Sequence, residues 1–156
     1  MANKITVRFY EVQKLHPKGP SLKMALEAIA AKDHDQRQVQ LGEGVVVRLE
    51  RYAEDAGELE GEFTRVRRDD FPYRVMPDGA KALDVEDPLG SGVAFRFRPH
   101  DHVLAIQYNA LRVSPGRVAD YLLQSDGRFA FDLTPKMNTM NWQKFNQFPV
   151  RKLKIA

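Results

Sequence analysis

Two groups of residues in this chain are of types and spacings that could do chemistry: one close histidine pair, and arginines on alternating segments. His100-Asp101-His102 is the only place where two imidazoles fall near each other. In a strand they would point to the same side, near enough to share a divalent metal with a third carboxylate. In a turn they would be solvated polar residues. Structural zinc takes four ligands, and His16 and His34 stand at no spacing that completes the set, so no metal is expected. The pair could also act as general acid and base in metal-independent RNA cleavage, with Arg96 or Arg98 supplying the cation for phosphate. No sequence signature supports that use. No catalytic residue is assigned, and His100 and His102 stand as the candidates for a small nuclease.

The arginines form the more suggestive pattern. Arg65, Arg67 and Arg68, then Arg96 and Arg98, then Arg151, Lys152 and Lys154 are expected to put cations on solvated strand faces. Guanidinium forks match phosphate oxygens two at a time, and exposed tyrosines such as Tyr10, Tyr52, Tyr73 or Tyr108 could stack on bases. Charge is laid out in blocks. Residues 1–32 sum to +4, residues 33–62 to −6, residues 63–88 to −1 and residues 89–156 to +6, within a net charge of +3. A basic second half could steer a polyanion. The competing explanation is ion pairing on a solvated face, since Asp69 and Asp70 follow Arg68 directly.

Other chemistries lack their residues. The chain has no cysteine, which excludes thiol catalysis, Cys-ligated zinc and iron–sulfur clusters. Gly90-Ser91-Gly92 lacks the lysine and hydroxyl of a phosphate-binding P-loop. There is no GxSxG elbow and no HExxH pair. No cofactor is expected.

The elements that must carry these residues follow from periodicity. Residues 5–12 alternate, predicting a half-buried strand with Ile5, Val7 and Phe9 on its inner face. Ser21 offers a cap to a helix over 21–32, along which Leu22, Ala25, Leu26 and Ile29 recur. A short strand around Val39 is possible. Residues 45–52 and 59–67 read as a hairpin turning at Glu54-Asp55-Ala56-Gly57, and residues 93–98 and 103–108 as a second. Ser114-Pro115 opens another helix, stopping near Ser125. A strand carrying Phe129, Phe131 and Leu133 follows, then a short helix from Asn138 or Thr139 through Trp142 and Phe145, and a strand from Val150 to Ile155. Residues 76–92 are rich in glycine and proline and are expected to form one long loop.

At 156 residues, one hydrophobic core is the expectation. The fold class is α+β: a mostly antiparallel sheet built from two hairpins plus outer strands, about three helices, and a single domain over 1–156. The later β-α-β segments could add parallel pairs. No apolar run approaches the roughly 18 residues that span a bilayer, and the first residues carry no export signal, so a cytoplasmic protein without membrane contact is expected. The last strand pattern runs to the final residue, a hint that related proteins continue further.

Gly61-Glu62-Phe63-Thr64-Arg65-Val66-Arg67, closed by Asp70-Phe71-Pro72, resembles a stretch found in bacterial and prophage proteins, where it precedes a strand like residues 102–107 and a helix opening like Val113-Ser114-Pro115. The resemblance implies a setting in phage defence or mobile elements and supplies no catalytic residues. Together these readings favour a non-catalytic module binding RNA or DNA through basic strand faces. A protein-interaction domain of a larger defence or phage complex is the alternative, using an acidic belt over 50–62 or the 76–92 segment.

Overall fold

The computed structural model describes residues 4–42, 44–67, 74–81, 89–109 and 112–137. It holds a seven-stranded sheet, curled into a half-barrel, and two α-helices. In chain order the elements are β1 Thr6–Lys14, α1 Leu22–Ala30, a 3-10 turn His34–Arg37, β2 Val39–Gln40, β3 Val46–Asp55, β4 Glu58–Arg67, β5 Arg74–Met76, β6 Gly79–Lys81, β7 Leu89–Arg98, β8 Val103–Tyr108, α2 Pro115–Ser125 and β9 Phe131–Pro135. The large sheet runs β2-β3-β4-β7-β8-β1-β9, and β5 and β6 form a separate small hairpin.

Both expected hairpins form where alternation and turn residues placed them. Every strand pair among the described residues is antiparallel, so the expected parallel additions do not occur there. The α2–β9 connection instead returns the chain beside β1. Two helices stand among the described residues rather than three. The third, expected through Trp142 and Phe145, and the strand from Val150 lie outside the described residues. The 76–92 segment is not one loop, since β6 and the start of β7 fall within it. Glycines conceal that strand from a hydropathy pattern, because a residue without a side chain marks neither face.

The core lies between the concave face of the sheet and the helices. Ser21 caps α1, its hydroxyl accepting from the Met24 N–H at 3.2 Å, and Ser114 caps α2 in the same way through Arg117 at 3.3 Å. Leu22, Ala25, Leu26 and Ile29 of α1 and Val118, Tyr121 and Leu122 of α2 point inward. Phe63 and Phe95 stack at 4.8 Å between ring centroids. Phe95 lies over Gly61, its partner on β4, where an added Cβ would sit 2.8 Å from the ring and against the Arg51 carbonyl. Only glycine leaves room for that stack.

Tyr121 joins three elements at a β-bulge. The register of β3 on β4 shifts between Leu49 and Arg51, and on its other side Leu49 lies beyond the end of β2, which pairs only with Val46 and Val47. The buried Tyr121 hydroxyl accepts from the Leu49 N–H at 3.1 Å and donates to the Arg37 carbonyl at 2.7 Å. Burial pushes its pKa up, so it stays a neutral donor. The Arg37 side chain bonds the carbonyls of Ala30, Lys32 and Leu49, closing the end of α1 onto β3. Finally, α2 touches both margins of the curled sheet, β2 and β9, and so fills the mouth between them.

Candidate functional site

The sheet register decides which residues share a face, because directly opposed residues in an antiparallel pair point the same way. On β1 it reverses the expected orientation. Tyr10 and Val12 are buried at 7% exposure each, while Ile5, Val7 and Phe9 are 64%, 46% and 51% exposed. The reason is a change of phase in the sequence at Phe9-Tyr10, where two apolar residues adjoin. A strand without a bulge keeps one phase, so one apolar row must face outward. Pairing of Tyr10 with Leu104 and anchorage of the Val12 N–H to the His102 carbonyl at 2.9 Å fix the second row inward.

The convex face can then be read row by row. One row runs Ala53, Glu60, Arg96, Ala105, Phe9 across β3, β4, β7, β8 and β1. The next runs Arg51, Glu62, Ala94, Gln107, Val7. In these two rows the β3–β4–β7 end is therefore charged in both signs, and the β8–β1 end is uncharged and, Gln107 apart, apolar. A shallow depression of about 280 Å³ lies at the junction, lined by Phe9, Val103, Ala105, Glu58, Arg96 and Arg98.

The expected electropositive face is not assembled by the described arginines. Arg96 and Arg98 project outward as predicted, but Arg96 pairs with Glu58, and Arg98 pairs with Asp101 at 2.7 Å. Arg65 and Arg67 have the strand parity of Phe63 and lie on the concave face, opposite Ser91 and Leu89. Parity with Leu59, Gly61 and Phe63 was the available signal for this placement. It was masked because Val66, the residue between the two arginines, is itself buried at 6% exposure. The other expected cations, Arg68, Arg151, Lys152 and Lys154, lie outside the described residues. The acidic residues of the 50–62 stretch are likewise divided, with Glu60 and Glu62 on the convex face and Glu54 paired to Lys23 of α1 at 3.2 Å.

His100 and His102 sit in the turn joining β7 to β8, not in a strand. His102 adopts a positive φ of 56°, a region that histidine visits more readily than branched residues. Both are exposed, and His102, without His100, lines a cavity between the sheet and the start of α1. No group of three His, Asp or Glu side chains is placed to hold a metal among the described residues. No helix among them is long and apolar enough to cross a membrane. No protein-family model matches the chain, and no curated protein or solved structure is significantly similar to it.

Proposed function

We propose that this domain is a non-catalytic protein-interaction module that docks a partner protein on the convex face of β1, β8 and β7. The carrying observation is that both faces of β1 carry apolar side chains but only Tyr10 and Val12 are covered, leaving Val7, Phe9 and the preceding Ile5 largely in solvent. Scattered exposed apolar residues need no explanation, but a contiguous row on a sheet does. The depression beside Phe9 suits an apolar side chain of the partner. The half-exposed Arg96 and Arg98 would form a polar rim, the pattern of apolar centre and charged margin typical of such interfaces. Arg96 and Arg98 already have carboxylate partners, and Arg65 and Arg67 face the other way, so binding to phosphate through the strand faces is the less favoured reading. The resemblance to prophage proteins would set the partner among proteins of phage–host conflict.

The test is a photo-crosslinking amino acid placed at position 9 of the full chain in its native cell, with position 27 as an exposed control on α1. A discrete protein adduct from position 9, absent from position 27 and lost on Val7→Asp, is the expected result. Adducts of equal yield at both positions, or none from position 9, would overturn the proposal. Labelled RNA and DNA titrated over a salt series would revive the nucleic-acid reading if affinity fell steeply with salt.

A further inference from the structure

The cavity lined by His102 lies at the end of the half-barrel remote from Arg67 and has a volume of about 640 Å³, within the range of small-molecule sites. Its floor is made of Val12, Leu22, Phe97 and Phe131, all core residues at 7% exposure or less. Its mouth carries Lys14 and His102.

Lys14 is held in place by its own loop. Its ammonium donates to the carbonyl of Pro17 at 3.1 Å and to that of Gly19 at 3.3 Å. An ammonium has three N–H donors, so one remains, and among the described residues no carboxylate pairs with it. The charge is thus positioned without being neutralised. Lys23, also at the mouth, is different, because Glu54 takes it at 3.2 Å. Glu11 lines the cavity from β1, but by strand parity it belongs with Val103 on the convex side, opposite in sense to Lys14.

We propose that this cavity binds a small amphipathic anion, a carboxylate on an apolar body, with the body on the Val12, Leu22, Phe97 and Phe131 floor and the carboxylate on Lys14. The imidazole of His102 supplies a further polar contact at the rim. The site is on the concave side of the sheet and is independent of the convex docking face.

Octanoate, 1-octanol and octylammonium, titrated separately into the isotopically labelled full chain and followed by amide chemical shifts, test it. Octanoate is expected to give saturable shifts centred on Val12, Leu22, Phe97 and Phe131. The alcohol and the ammonium are expected to bind at least about tenfold more weakly, since each lacks the charge-assisted bond to Lys14. Lys14→Met should weaken octanoate by about tenfold and leave octanol unchanged, while Lys14→Arg should retain octanoate binding. Native-like spectra of both variants show that the fold survives. Octylammonium binding as tightly as octanoate, shifts centred on Phe9, no saturation by octanoate, or indifference to Lys14→Met would each overturn the proposal.

Discussion

The concave and convex faces of the one sheet both carry large apolar side chains, yet these have opposite fates. On the concave side Phe63, Phe95 and Phe97 are covered by helices and by each other, at 1–4% exposure. On the convex side Phe9, two strands from Phe95, is 51% exposed. Residue type alone does not separate the core from a surface reserved for contact. What separates them is whether another element of the chain reaches the face, and α1 and α2 both pack on the concave one.

That contrast can be broken most directly with the phenylalanines themselves. Phe95→Ala removes the ring stacked on Phe63 and laid over Gly61, and should cost about 3–5 kcal/mol in denaturant unfolding. Gly61→Ala places a methyl group against the Phe95 ring and the Arg51 carbonyl, and is expected to cost about 3 kcal/mol by overpacking. Tyr121→Phe leaves the Leu49 N–H and the Arg37 carbonyl without their buried partner, for about 2 kcal/mol. On the convex side, Phe9→Asp should shift stability by no more than about 0.5 kcal/mol, and so should Val7→Asp while it abolishes the crosslink from position 9. A loss comparable with that of Phe95→Ala would show that Phe9 belongs to the core.

The smallest effect is expected where neither face is involved. At the end of α2, hydrogen bonds from the Arg128 side chain and then its backbone N–H hold the partly exposed Asp126 carboxyl down at about 2, below the ordinary 3.8. A depressed carboxyl stabilises the fold above its unfolded value and loses that contribution as the pH falls. The difference in melting temperature between the wild type and Arg128→Ala should therefore be small at pH 5 and shrink between pH 4 and 2. A difference independent of pH would remove the ion pair as its cause.

Local pattern made some of this legible in the sequence and not the rest. The hairpins, both serine caps and the inward row Val93, Phe95, Phe97 follow from residues within a few positions of each other. The phase of β1 does not, because residues 5–9 and residues 10–12 propose different inner faces and only pairing with β8 chooses between them. Arg65 and Arg67 could have been placed by parity with Phe63, but Val66 argued equally for the opposite phase. The cavity at Lys14 was out of reach of any local pattern, since its walls come from β1, α1, β7 and β9.

The position of β1 in the sheet has a consequence during synthesis. Its neighbours are β8 and β9, among the last described elements to be made, so β1 leaves the ribosome long before either partner exists. At ordinary elongation rates the delay is on the order of ten seconds. Throughout it, a strand carrying Val7, Phe9, Tyr10 and Val12 stays single, and the speed of translation sets how long a nascent chain must be kept from its neighbours.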